Sequence, residues 1–169
     1  MEAELILYAV PTGSLAQAIG AFFDELAERP TTAQRFPPHC TLTGFFHDDA
    51  DAIGQYADAA QGVVRPVSVD VALRTTPEWI GLEVQSPDLL ALARDFAAAA
   101  APIESRRDQI RLKDWLHVSL AYGHDADATD ELANLATKLV DPAADVGWDL
   151  RVYERRERAW IVRGSWPLP

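Results

Sequence analysis

Two stretches of this 169-residue chain repeat one pattern. "FPPHCTLTGFFHDDAD" begins at residue 36 and "WLHVSLAYGHDADA" at residue 115; each sets a His two residues ahead of a hydroxyl residue, in a short apolar run leading to His-Asp and a helix-like segment. Their surroundings repeat as well. "ELILYAV" (4–10) reads as a strand, and "SLAQAIGAFFDELAER" (14–29) follows with helical spacing of Leu15, Ile19, Phe22, Phe23 and Leu26. In the second copy "EWIGLEVQ" (78–85) is the strand, and Ser86-Pro87 opens the helix "DLLALARDFAAAA", with Ser86 as N-cap and Pro87 at its first position. The His strands are expected over 39–46, after Pro37-Pro38, and over 115–122, after a polar loop at 102–114. A helix follows each: one over about 49–61, where Asp48, Asp49 and Asp51 suit the positive helix end, the other from Thr129 to Asp141-Pro142. "PVSVDVALRT" (66–75) alternates as a half-buried strand, and "VGWDLRVYER" with "RAWIVRGSW" forms a hairpin turning near 154–157.

The order strand, helix, His strand, helix, strand is thus read from residue 4 and again from 78. Long repeat periods usually signal solenoids, but two copies cannot form an array. The expectation is one α+β domain over 1–169, with repeats at about 4–75 and 78–169 arranged as pseudo-twofold lobes.

Residues two apart on a strand share a face. His39, Thr41 and Thr43 therefore point one way, with Cys40 and Leu42 behind; Trp115, His117, Ser119 and Ala121 share a face, with Leu116, Val118 and Leu120 behind. Each strand has an apolar back that suits packing under helices and an imidazole-plus-hydroxyl front. A lone His on a strand is ordinarily structural. Two in matched contexts point to catalysis, because a hydroxyl beside an imidazole can donate to a phosphate oxygen while the imidazole transfers a proton.

Composition narrows the partners. The net charge is −11, with 5 basic and 14 acidic side chains in residues 1–100 against 10 and 12 in 101–169. A duplex-binding surface relies on clustered Lys and Arg, so this balance argues against duplex nucleic acid as the usual ligand. The basic groups of the second half gather in "RRDQIRLK" (106–113) and "RVYERRER" (151–158), read either as solvated charge or as a positive lip that attracts a small anion. No apolar run is long enough for a membrane span, and the N-terminus lacks a basic signal-peptide region. A single Cys excludes an internal disulfide and a thiolate zinc site, so a cytoplasmic location is the default. No coiled-coil pattern appears, and a monomer is expected.

The tetrapeptides "HCTL" and "HVSL" resemble the two H-x-[T/S]-x motifs of the 2H phosphoesterase superfamily, and "HVSLAYG" is most like its branch of small cyclic phosphodiesterases. Length, two-copy order and motif separation fit across nearly the whole chain. The resemblance implies a bilobal α+β fold of two antiparallel sheets facing a groove, both motifs on its floor, with no metal or other cofactor. It implies hydrolysis of a nucleoside 2′,3′-cyclic phosphate, or of ADP-ribose 1″,2″-cyclic phosphate, to a monoester. By that analogy His117 is general base on water and His39 general acid on the leaving oxygen, and the pseudosymmetry admits the reverse. Thr41 and Ser119 would hold the non-bridging oxygens. Tyr122 corresponds to an aromatic residue near the nucleoside, provided the strand end bends to turn it to the front.

Trp115 has the parity to line the groove and stack on a base, or else to lid the core. Thr43 shares the front of its strand, and Arg106, Arg107, Arg111 and Lys113 precede the second motif, Arg111 being the candidate for a second phosphate. His47 and His124 are each followed by Asp, and helix entry with the Asp as cap is the expectation. The His spacings match no common metal-ligand pattern, and Cys40 is expected to be a buried structural thiol. Two rivals stand beside the small cyclic phosphodiesterase: an enzyme of the same superfamily acting on RNA ends or 2′–5′ linkages, and a nucleotide-binding module without turnover. A purely structural role would instead make both His substitutions strongly destabilising.

Overall fold

Strand β1 (Glu2–Thr12) carries two apolar sets by alternation. Leu5, Leu7 and Ala9 lie in the main core, while Ile6, Tyr8 and Val10 form a second, smaller cluster on the opposite face. A strand apolar on both faces needs cover on both. Helices cover the first face, and the second becomes the floor of a groove.

The computed structural model describes residues 2–33, 37–157 and 159–169. After β1 come α1 (Gly13–Ala27), β2 (Cys40–Thr41), β3 (Phe46–Asp49), α2 (Ile53–Gly62), β4 (Asp70–Thr75) and β5 (Trp79–Gln85). Then follow α3 (Pro87–Ala100), β6 (Leu116–Tyr122), α4 (Thr129–Leu139), β7 (Gly147–Arg156) and β8 (Ala159–Leu168). The strands form one antiparallel sheet of eight in the order β4-β5-β6-β2-β1-β7-β8, with β3 also paired to β1. The two sheets that the resemblance implies are its halves. They meet at a single pair, Cys40 with Val118. Outward from that junction each side presents a His strand, then the opening strand of the same copy, then the closing strand of the other copy. The closing strands β4 and β7 have thus changed sides, which ties the halves together.

The backs of the strands pack under the helices as their apolar patterning requires. Leu15, Ile19, Phe22 and Leu26 recur at helical spacing and are buried on α1. On α3 the buried stripe is Leu89, Leu92, Ala93, Phe96 and Ala100, and Ser86 caps the helix by accepting the Leu89 N–H at 3.1 Å. α1 packs against α4 and α2 against α3. Phe46, Tyr56 and Phe96 are fully buried where α2 and α3 meet the sheet.

Two expectations need correction. The first His strand does not run to residue 46: β2 stops at Thr41, and the chain turns away to pair with the loop before β6. Gly44 N–H donates to Arg111 O (2.7 Å) and Lys113 N–H to Leu42 O (3.1 Å). The acidic run after His47 caps no helix. Asp48 is buried and accepts the Tyr56 hydroxyl at 2.6 Å, Asp49 pairs with Arg107, and α2 starts only at Ile53 after a short 3₁₀ turn. A carboxylate able to satisfy a buried phenol does more for the fold than an exposed cap.

Candidate active site

The junction pair sets the geometry of the two motifs. In an antiparallel ladder with Cys40 opposite Val118, His39 stands level with Ser119 and Thr41 level with His117. Each imidazole thus sits beside the hydroxyl residue of the other copy, and the pseudo-twofold axis passes between them. Cys40, Leu42, Val118 and Leu120 are buried behind. Burial pushes the Cys40 thiol up to about 12, the state of an inert structural cysteine.

A groove of about 490 Å3 lies over this floor, lined by Tyr8, His39, Phe45, Trp79, His117, Ser119, Tyr122, Arg155 and Trp160. Two irregularities bring aromatic rings to it. Gly81 pairs with Ser119 but Ile80 with Ala121, so Leu120 is an extra residue in β6 and Tyr122 returns to the front, opposite Trp79. This is the bend that Tyr122 required. In β8 the pairs Val152–Gly164 and Tyr153–Val162 leave Arg163 as the extra residue. Trp166 and Leu168 therefore face the core side, while Val162 and Trp160 face the groove side with Tyr153 and Arg155.

The imidazoles are held differently. His39 Nδ1–H donates to Pro37 O at 2.7 Å, which leaves Nε2 to exchange a proton, and the ring stacks on Tyr8 at 4.3 Å. His117 stacks on Trp115 at 3.9 Å and meets the edge of Trp79 at 5.5 Å. Burial lowers the pKa of both. For His117 the Trp115 backbone acts against burial, and the charges of His39 and Lys113 act with it. Burial also raises the phenols of Tyr8 and Tyr122, so both remain hydroxyl donors.

A pH dependence follows. The native state holds both imidazoles neutral to lower pH than the unfolded chain does, whose His titrate near ~6.5. Below that value the unfolded chain binds more protons, so this contribution to stability falls as pH drops from ~6.5 through the folded pKa values. A pH series of Tm checks the sign.

Thr41, level with His117, is half-buried, paired with Tyr8, and is not among the lining residues. Thr43 is fully buried and accepts the Leu7 N–H at 3.1 Å, replacing a ladder bond where β2 ends. It therefore has no place in the groove. Trp115 is half exposed, lays its face on His117 and borders a neighbouring cleft with Glu83 and Asp114, beside the residues that line the groove. Arg111 is exposed, packs over Gly44 and is not among the lining residues.

The positive lip is mostly neutralised. Arg107 pairs with Glu2 and Asp49, Arg156 and Arg163 clasp buried Glu154, and Arg151 pairs with Asp149. Arg155, from the second basic cluster, reaches the groove instead; Glu4 grips it at 2.5 and 2.7 Å, and its guanidinium lies 4.4 Å over Phe45. His47 is tied to Asp108 at 2.9 Å, and His124 is buried. Among the described residues no three His, Cys, Asp or Glu side chains converge as a metal site requires, and no helix is long and apolar enough to cross a membrane.

Tyr8, Phe45, Trp79, Arg155 and Trp160 line the groove without having been singled out from the sequence. The available signal was in β1: a strand apolar on both faces marks a covered second face, which gives Tyr8. The others depend on cross-strand register.

No family model matches the chain. It is 28% identical over 166 residues to ecdysteroid-phosphate phosphatase of Bombyx mori, aligned over 92% of this chain and 25% of that protein. It is 29% identical over 163 residues to ubiquitin-associated and SH3 domain-containing protein B of Mus musculus and Homo sapiens, over 90% of this chain and 25% of theirs. The chain spans about a quarter of the length of the curated relatives it matches. Among solved structures, E. coli LigT complexed with ATP superposes with a TM-score of 0.56 at 15% identity, covering 99% of both chains. LigT complexed with NADP+ gives 0.58 at 15% identity over 99% of both, and a structure described as a phosphoesterase gives 0.57 at 16% over 98% of both. The fold is that of LigT.

Proposed function

We propose that this protein is a 2H phosphoesterase of the small cyclic phosphodiesterase type, opening a 2′,3′-cyclic phosphate on a nucleotide to a phosphomonoester without a metal. The observation that carries this reading is the convergence of His39, His117 and Ser119 on one groove through the Cys40–Val118 junction. LigT, whose fold the chain shares, is a nucleotide binder in its ATP and NADP+ complexes, and a phosphatase stands among the sequence relatives.

The chemistry needs two proton transfers on opposite sides of phosphorus. One neutral imidazole takes a proton from water as the water oxygen bonds to phosphorus. The P–O bond to one ribose oxygen breaks, and the other imidazole, protonated, gives its proton to that oxygen. In the preferred assignment His117 is the base and His39 the acid, and Ser119 donates to a non-bridging oxygen as charge builds there. Thr41 would do the same for the other oxygen only if the ligand reaches down beside Tyr8.

The groove favours a small ligand over a polymer. Arg155 is the one Lys or Arg side chain among the described lining residues, and Glu4 already holds it. A polynucleotide that contacts several cationic groups loses affinity steeply with salt, by roughly 0.7 log per log of salt for each single-strand phosphate contact. Hydrolysis of a cyclic mononucleotide is expected to stay nearly flat from low to moderate salt and to be unchanged by EDTA. Rates on a cyclic-phosphate RNA end that exceed those on the mononucleotide and fall steeply with salt would favour the RNA-end reading.

A further inference from the structure

We propose that Trp79 is a positioning residue that fixes the Ser119 hydroxyl for phosphate, an inference that rests on the phosphodiesterase reading. The indole Nε1–H donates to Ser119 Oγ at 2.9 Å. A hydroxyl has one proton and two acceptor sites, so once the indole occupies an acceptor site its own O–H is available to the groove. Indole nitrogen accepts nothing, so the bond has one direction only. Left free, a serine hydroxyl on a strand rotates among rotamers and can turn to a backbone carbonyl.

The surrounding sequence makes room for this contact. Gly81 pairs with Ser119 across the strands, and a Cβ on it would stand 2.3 Å from Trp79 Cζ2 and 2.5 Å from Val118 O. Only glycine lets the indole lie across the strand to reach the hydroxyl. The first copy is built otherwise. There the residue opposite the motif hydroxyl Thr41 is Tyr8, whose ring stacks on His39. The halves are thus symmetric in backbone and unequal in chemistry, with the pinned hydroxyl on the His117 side. Trp79 also places its ring edge against both His117 and Trp115, so one side chain braces the base and directs the donor.

The test is a double-mutant cycle of Trp79→Phe and Ser119→Ala, read in kcat and KM on a 2′,3′-cyclic nucleotide and in Kd for inorganic phosphate. Phenylalanine keeps an aromatic ring and removes the donor. A second form with benzothienylalanine at position 79 keeps the bicyclic shape and replaces N–H by sulfur, which covers the case of a Trp79→Phe protein that does not fold. Ser119→Ala is expected to lower kcat about a hundredfold, as loss of a transition-state donor does, and Trp79→Phe about tenfold with KM nearly unchanged. In the Ser119→Ala background Trp79→Phe should have no further effect. Equal losses in both backgrounds, or no loss in either, would overturn the proposal while leaving the enzyme reading intact. If wild type opens no cyclic phosphate, that reading falls, and the same cycle in phosphate affinity decides the role of Trp79. Absence of phosphate binding by wild type overturns both.

Discussion

Alanine at either His39 or His117 is expected to lower kcat/KM on a 2′,3′-cyclic nucleotide by about a thousandfold, within the usual 10²–10⁴ range for a positioned general acid or base. The two losses should be similar, since each transfer is needed in every turnover, and the double variant should lose little more than either single one. Stability should hardly move. Both rings are half-buried at the groove floor, and the one well-formed bond lost is His39 Nδ1–H to Pro37 O. Parallel melting curves with shifts of only a few degrees would separate this from a structural role, in which both substitutions lower Tm strongly.

Phe46→Ala is expected to have the largest effect on stability. The ring is fully buried and packs on Tyr56 at 4.9 Å and Phe96 at 6.2 Å, where β3 meets α2 and α3. Removing such a ring costs about 3–5 kcal/mol, part of it from the cavity left behind. In a chain of this length that lowers Tm by roughly 10 °C or more. The preceding residue should behave in the opposite way. Phe45 faces the groove, with Arg155 over its ring and Trp160 at 5.8 Å, so Phe45→Ala should raise KM several-fold at a stability cost of about 1 kcal/mol. Urea unfolding of both variants beside their kinetics checks the contrast. Equal destabilisation by the two would mean that the chain does not alternate between core and groove at this point.

That alternation explains what the sequence made legible. The two His strands were readable because parity is local: His117 and Ser119 are two apart on a regular stretch, and both reach the groove. The helices were readable from their apolar spacing and, for α3, from the Ser86-Pro87 start. Parity failed wherever the backbone departed from regular pairing. Thr43 lies beyond the end of β2, where its hydroxyl completes a backbone bond of β1 and so lies inside. Tyr122 and Trp160 lie beyond bulges that each shift the pattern by one residue; counted back from Trp166, Trp160 would be assigned to the core. An extra residue in a strand depends on its partner strand, which the local pattern does not contain.

Charge was the other quantity the sequence left open. The basic residues of 106–113 and 151–158 read as a lip, yet Arg107, Arg151, Arg155 and Arg156 have carboxylate partners: Arg151 and Arg156 pair two residues away on β7, Arg107 pairs from a loop, and Arg155 pairs across the strands with Glu4, 151 residues away in sequence. The choice of Arg155 over Arg111 at the groove follows from register: Arg155 pairs with Glu4 and Trp160 on the groove face, whereas Arg111 bonds through its carbonyl to the segment that leaves β2.

Phosphorus NMR of a 2′,3′-cyclic nucleotide incubated with the protein in EDTA tests most directly whether two imidazoles at a strand junction open a cyclic phosphate with no metal. The cyclic-diester signal is expected to give way to a single monoester signal, whose position shows whether the 2′- or the 3′-phosphate remains. An unchanged cyclic-diester signal from folded protein, on a mononucleotide, on ADP-ribose cyclic phosphate and on short RNA ends alike, would contradict it and leave the groove as a binding site.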